Sequence, residues 1–204
     1  MFNPKSIENN FFHNLSYSFD TSKLKKGDVL VSDPFLLDPN FSRSVILITE
    51  YSIEDGTVGF VLNKPTAIEL SEVVESFYGN GYLFYIGGPV ESDRVFYIHH
   101  NDLGITDSLQ VTDDLGWSSN FDEAKKLHDA GKLPPTEIKF FGGYSGWSPG
   151  QLEQEITEKS WIITNLASKH VLNARDESLW KQSLQQLGKK FSIMADFPEN
   201  PSMN

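Results

Sequence analysis

The sequence predicts a single domain of mixed α and β structure, of the α+β class. Three observations predict it. Short runs rich in β-branched and aromatic residues alternate along the chain with segments whose apolar residues recur at helical spacing. No internal repeat or linker divides the chain. A chain of 204 residues can also bury roughly 70% of its unfolded surface in one core without metals or disulfides.

The ordered domain is expected to span residues 27–195. Residues 1–26 have no clear period and are interpreted as an N-terminal arm, and residues 196–204, with prolines and small polar side chains, as a frayed tail. The first strand is expected over 29–31, and the pair Asp33-Pro34 is expected to end it.

A hairpin is predicted next. Residues 44–51 are expected to form a β-branched strand whose middle is apolar on both faces, and residues 57–62 a second strand. The dipeptide Asp55-Gly56 between them is typical of a turn, so the two strands are expected to pair in antiparallel fashion.

A helix with one buried face is predicted after this hairpin. Thr66 stands three residues before Glu69, which is a capping-box pattern at a helix start. The apolar residues that follow share one helical face: Leu70, Val73, Val74 and Phe77. A turn at 79–81 is expected to end the helix.

The remaining elements are expected in chain order: strands over 82–86 and 94–99, a helix over 120–130, a strand over 138–141, and helices over 149–159 and 176–187.

Composition and charge exclude several classes of function. The chain has no cysteine, which excludes disulfides, thiolate metal sites and cysteine nucleophiles, and the cytoplasm is the simplest compartment. A net charge of -11 argues against direct binding to nucleic acid or to anionic membranes. No apolar run reaches the length of a membrane span or signal peptide.

The segment FFGGYSGWSPGQLEQE at 140–155 is the best candidate for a ligand site. We expect a strand to run into a glycine-rich corner and then into a helix capped by Ser148, with Gln151 completing a capping box. Glycines let the backbone approach a ligand, and a helix N-terminus favours an anion. The alternative is that the glycines only make a tight turn and that Trp147 packs as core.

No catalytic residue is identified. A comparison of Ser145 with a hydrolase nucleophile fails, because Trp147 stands where the elbow requires a glycine. His99 and His100 are adjacent on a predicted strand and point to opposite faces, so they cannot easily share a metal. No nucleotide-binding glycine motif occurs, and neither a metal nor a cofactor is expected.

Two polar residues flank the predicted hairpin. The guanidinium of Arg43 could bind a carboxylate or phosphate, or could pair with Asp38 to fix the loop. Asn63 follows the second strand and offers a side-chain amide, or simply ends the strand in a turn.

Several motifs in this order resemble the YqgE/AlgH family of bacterial proteins: GDVLVSDPFLLDPNFSRSVILITE at 27–50, GFVLNKP at 59–65, YIGGPV at 85–90 and GGYSGWSPGQLEQEI at 142–156. The resemblance implies a bent, bifurcated mixed sheet that closes into a barrel-like core with helices packed outside. It implies no particular activity, although one branch is labelled a transcriptional regulator. The matching positions where it implies a shared site are Asp38, Arg43, Asn63, Gly87, Gly88, Tyr144, Gly146, Trp147 and Gln151.

These observations favour a non-catalytic regulatory or binding module for a small anionic ligand or a protein partner. One alternative is a hydrolase or transferase that uses the cleft between the motif loops. Another is a transcriptional regulator without a recognisable DNA-binding motif. The sequence leaves the oligomeric state open.

Overall fold

A computed structural model describes residues 19–78, 81–176 and 178–196. Within them the chain forms ten strands and six α-helices, in the order β1 (Val29–Ser32), β2 (Val45–Ser52), β3 (Gly56–Val61), β4 (Pro65–Glu69), α1 (Leu70–Val73), β5 (Leu83–Ile86), β6 (Val90–His100), β7 (Leu109–Gln110), β8 (Leu115–Ser118), α2 (Asp122–Asp129), β9 (Ile138–Trp147), α3 (Gln151–Thr157), β10 (Trp161–Thr164), α4 (Ser168–Asn173), α5 (Ser178–Gln186) and α6 (Lys189–Met194).

The strands form one branched, mixed sheet. Its main path runs β10-β1-β2-β3-β9-β6-β8-β7, and β4 and β5 form a side branch on β9. The β5–β9 pair is parallel, and the other pairs are antiparallel. The predicted α+β class and the bifurcated sheet are therefore confirmed. Hydrogen bonds between the described strands do not close the path, which ends at β10 and β7.

Apolar side chains fill both faces of the central strands. Alternate residues of β1 and β2 enter two different clusters, one beneath α4, α5 and α6 and one beneath α3. This confirms the prediction that the middle of the strand over 44–51 is apolar on both faces. A third cluster, beneath α1 and α2, packs against β5, β6 and β9. The helices thus lie outside the sheet and cover its apolar faces.

The helix predicted from residue 66 is wrong in its extent. Residues 65–69 form β4, and α1 is a single turn that begins at Leu70. The hydroxyl of Thr66 donates to the carbonyl of Phe84 on β5 instead of capping a helix. The capping box forms one turn later, between Glu69 and Glu72. Pairing with β5 therefore overrides the helical pattern, and Val73 is 42% exposed.

The other predicted elements are confirmed, with two large differences in length. The strand predicted over 94–99 runs from Val90 to His100 as β6. The strand predicted over 138–141 continues to Trp147 as β9. The predicted turn at 79–81, much of the N-terminal arm and most of the tail involve residues outside the described ranges. In the part of the chain that the structure describes, no helix has the length and apolar character that crossing a membrane requires.

His99 gives the fold a testable pH dependence. Its ring is fully buried, with Nδ1 3.1 Å from the carbonyl oxygen of His100 and Nε2 without a hydrogen-bond partner. Burial lowers the pKa of His99 below its ordinary 6.5. Below pH 6.5, His99 is protonated in the unfolded chain, whereas its lowered pKa keeps it neutral in the folded chain. The free energy of unfolding therefore decreases as the pH falls below about 6.5.

We therefore expect the free energy of unfolding, measured with urea, to decrease between pH 7.5 and pH 5.5. The His99→Asn variant should show a flatter pH dependence, whereas His170→Gln, at an exposed position, should keep the wild-type slope. Equal slopes in all three proteins would contradict this assignment. The amides of Asp107 and Thr106 donate to Glu123 and lower its pKa. Carboxylates of this kind change the free energy of unfolding only at a pH below this range.

Candidate functional site

A groove of about 440 Å³ lies where β9 leaves β6 and joins β3. It is open to solvent and has both aromatic and polar walls. Three of the residues predicted for a site, Tyr144, Gly146 and Trp147, line it. The other lining residues are Glu50, Tyr51, Ser52, Asp55, Gly56, Thr57, Val58, Val90, Ser148 and Pro149.

The glycine pairs at 87–88 and 142–143 hold two backbone segments together and do not form an open corner. The amide of Gly87 donates to the carbonyl of Gly142, and the carbonyl of Gly87 accepts from the hydroxyl of Ser145. A Cβ on Gly88 would lie 2.2 Å from the carbonyl carbon of Tyr144. These glycines therefore permit close contact between the segment before β6 and β9.

The predicted strand-corner-helix unit is wrong in its geometry. Gly142, Gly143 and Gly146 lie within β9, and Gly143 adopts φ 68°, which suits a residue without a Cβ. Helix α3 has Gly150 as its N-cap, without a side-chain cap. Half of the predicted capping box is present, because the side chain of Gln151 accepts from the Ser148 amide at 3.0 Å. Ligand binding by these residues stays a prediction.

Trp147 is one of the residues that line the groove, and its ring belongs to the core. It is 5% exposed, and its indole Nε1 donates to Oε2 of Glu155 at 2.9 Å. The indole of Trp161 donates to the same oxygen at 2.7 Å. The ring of Trp147 also stacks on Phe41, with centroids 6.2 Å apart. One carboxylate on α3 therefore fixes two tryptophans of β9 and β10.

Arg43 and Asn63 lie at the other end of the β2–β3 hairpin from the groove. Asn63 is fully buried; its Oδ1 accepts from the amide of Val45 and its Nδ2 donates to the carbonyl of Arg43, each at 2.9 Å. The guanidinium of Arg43 lies 5.1 Å from the ring centroid of Trp180. The structure brings these two residues together, but away from Tyr144, Gly146 and Trp147.

The groove has a negative electrostatic character. Glu50 and Asp55 are exposed lining residues. The hydroxyl of Tyr51 donates to Glu153 at 2.7 Å, and burial together with this carboxylate raises the pKa of Tyr51 to about 12. Carboxylates in and beside the groove oppose an anionic ligand and favour a cationic one.

Ser145 is not placed as a nucleophile. Its side chain is fully buried, and its hydroxyl donates to the carbonyl of Gly87 at 3.1 Å. A nucleophile needs access to substrate and a base within hydrogen-bond reach. Across the described ranges, no group of three or more His, Asp or Glu side chains is arranged to hold a metal ion.

Lys139, which was not among the predicted site residues, lies buried on β9. Its ammonium donates to the carbonyl of Ala174 and lies 3.7 Å from the ring centroid of Tyr85. Burial and the nearby Arg175 lower the pKa of Lys139 well below its ordinary value. A lysine inside the apolar run IKFF was the available signal, because a buried cation is rare in a strand core.

Comparisons with known proteins support one family. Residues 29–192 match the family model described as AlgH-like. A UPF0301 protein of Cytophaga hutchinsonii is 36% identical over 182 residues, which cover 89% of this chain and all of that protein. A UPF0301 protein of Parabacteroides distasonis is 37% identical over 185 residues, which cover 88% of this chain and 91% of that protein.

Two solved structures share the fold. The solution structure of the AlgH protein from Pseudomonas aeruginosa has a TM-score of 0.68 at 25% identity, and the comparison covers 89% of this chain and 98% of that one. A crystal structure of a Corynebacterium diphtheriae protein has a TM-score of 0.74 at 22% identity, covering 91% and 97%. The second likeness concerns the fold alone. The resemblance seen in the motifs is thus confirmed, and the chain belongs to the AlgH-like family.

Proposed function

We propose that this chain is a non-catalytic binding module that receives a positively charged segment of a protein partner in the groove between β3 and β9. One observation carries the proposal: an open groove of about 440 Å³ combines aromatic side chains with exposed carboxylates. Arginine and lysine side chains pair with carboxylates and pack over aromatic rings.

The geometry of the groove favours a protein partner over the small anion that the sequence also suggested. Glu50 and Asp55 would repel an anion, whereas Tyr51 and Tyr144 offer ring surface to a cationic side chain. The groove is lined by residues of the paired strands β2, β3 and β9, so little conformational entropy has to be lost by this chain on binding. The lack of cysteine supports the cytoplasm as the compartment in which the module acts.

The enzymatic alternative has less support in the described residues. Ser145, the hydroxyl that the motif offered, is buried and already hydrogen-bonded. In the groove, the hydroxyl of Ser52 donates to Asp55 at 3.0 Å, and it also accepts from the amides of Glu54 and Asp55, as a side chain that stabilises a turn does. Binding therefore remains the function that we propose for the groove.

Titration with defined peptides tests this proposal. We expect a peptide of three Arg-Gly repeats to bind at low salt and a peptide of three Glu-Gly repeats not to bind, as measured by calorimetry. The combined Glu50→Gln and Asp55→Asn variant should weaken binding about threefold to tenfold, because two exposed ion pairs are lost.

A matched variant controls for net charge. Asp102→Asn combined with Asp122→Asn removes two exposed carboxylates that do not line the groove, and it should leave the affinity unchanged. Equal binding of both peptides, or equal weakening by the two double variants, would show that the groove is not the binding site.

A further inference from the structure

A second, smaller pocket lies between β5, β9 and the connection from α4 to α5. Its volume is about 20 Å³, enough for roughly one oxygen atom of a ligand or water. Its lining includes both basic and apolar side chains. The lining residues are Gly81, Leu83, Tyr85, Pro135, Ile138, Lys139, Leu172, Asn173 and Arg175.

Lys139 is the most unusual member of this lining. It is 2% exposed, although an ammonium group loses much of its hydration when it is buried. The group can donate three hydrogen bonds, and in the described part of the chain it donates one, to the carbonyl of Ala174. That carbonyl also accepts from the hydroxyl of Tyr85 at 2.9 Å. Lys139 therefore has donor capacity left beside the pocket.

Arg175 brings a second cation to the same place. Among the described residues, neither Lys139 nor Arg175 forms an ion pair with a carboxylate. The adjacent carboxylate, Asp176, instead accepts from the amide of Ser178 at 2.8 Å. A buried charge is normally paired, so Lys139, with the exposed Arg175 beside it, lacks a negative partner at this pocket within the described ranges.

From this geometry we infer that the pocket binds one oxygen of a small oxyanion, a carboxylate or a phosphate, between the Lys139 ammonium and the Arg175 guanidinium. The bound oxygen accepts from the free donors of Lys139 and balances the charge of both side chains. Leu83, which is 39% exposed, and Pro135 lie at the same pocket. A short alkyl tail on a carboxylate gains apolar contact with them, which phosphate does not. This site is separate from the groove and does not depend on its function.

Thermal unfolding with added salts tests the inference. Sodium phosphate, acetate and butyrate are compared with sodium chloride at equal ionic strength and pH. We expect at least one oxyanion to raise the Tm above the chloride value by roughly 3–6 °C when its concentration exceeds Kd about tenfold. A larger shift with butyrate than with acetate would identify a carboxylate with an apolar tail, and a shift with phosphate alone would identify phosphate.

Two variants locate the effect. Lys139→Met and Arg175→Gln should each abolish the oxyanion shift, and Lys169→Gln, an exposed lysine on α4, should preserve it. Because Arg175 is exposed, its variant tests the site even if Lys139→Met does not fold. The inference is overturned if no oxyanion raises the Tm above chloride, or if the shift persists in the Arg175→Gln protein.

Discussion

Replacing Gly88 by alanine is expected to lower the free energy of unfolding by about 3 kcal/mol or more. A Cβ at this position would lie 2.2 Å from both the carbonyl carbon and the oxygen of Tyr144, and 2.4 Å from the amide nitrogen of Ser145. These atoms belong to the backbone of β9, which pairs with β3, β5 and β6 and has little freedom to move. The loss can be measured by urea unfolding at neutral pH.

Gly104→Ala is the matched control for Gly88→Ala. Gly104 has φ 69°, and a Cβ there would meet nothing within 4 Å. Its replacement should cost only about 1–2 kcal/mol, the ordinary penalty for an L-residue in the left-handed region. If Gly88→Ala lost no more stability than Gly104→Ala, close backbone contact would not be the reason for glycine at position 88.

The sequence predicted most strands because their local signals agree with their environment. β1 and β2 are β-branched runs buried on both faces, and the turn at Asp55-Gly56 connects β2 to β3. The prediction from sequence was wrong where pairing between distant segments of the chain determines the structure. The hydroxyl of Thr66 donates to a carbonyl on β5. The glycines of β9 remain in a strand because a distant segment of the chain packs closely against them. Neither contact is visible in a local pattern.

The candidate site was predicted in part. The family motifs pointed to Tyr144, Gly146 and Trp147, which meet at one groove. They also pointed to Arg43 and Asn63, which bond to each other at the far end of the hairpin, because a shared motif does not tell which end of a strand each residue occupies. Glu50 and Asp55, which set the charge of the groove, resemble ordinary exposed carboxylates in the sequence.

Replacing Glu155 by alanine is expected to lower the free energy of unfolding by about 3 kcal/mol. Its Oε2 accepts from the indole nitrogens of both Trp147 and Trp161, which are 5% and 1% exposed. Alanine would leave two buried donors without this acceptor, and buried unsatisfied donors cost about 1–3 kcal/mol each. Urea unfolding followed by tryptophan fluorescence measures the loss, and both indoles lie at the altered site.

Two further variants distinguish the loss of the indole hydrogen bonds from the general effect of removing a carboxylate at or near helix α3. Glu155→Gln keeps an oxygen that can accept from the indoles and should lose much less stability than Glu155→Ala. Glu158→Ala removes an exposed carboxylate that accepts from Gln154, and it should stay within about 0.5 kcal/mol of the wild type. If Glu155→Ala matched Glu158→Ala, the two tryptophans would not depend on this carboxylate. Because Trp147 lines the groove, the Glu155→Ala protein should also bind the Arg-Gly peptide more weakly.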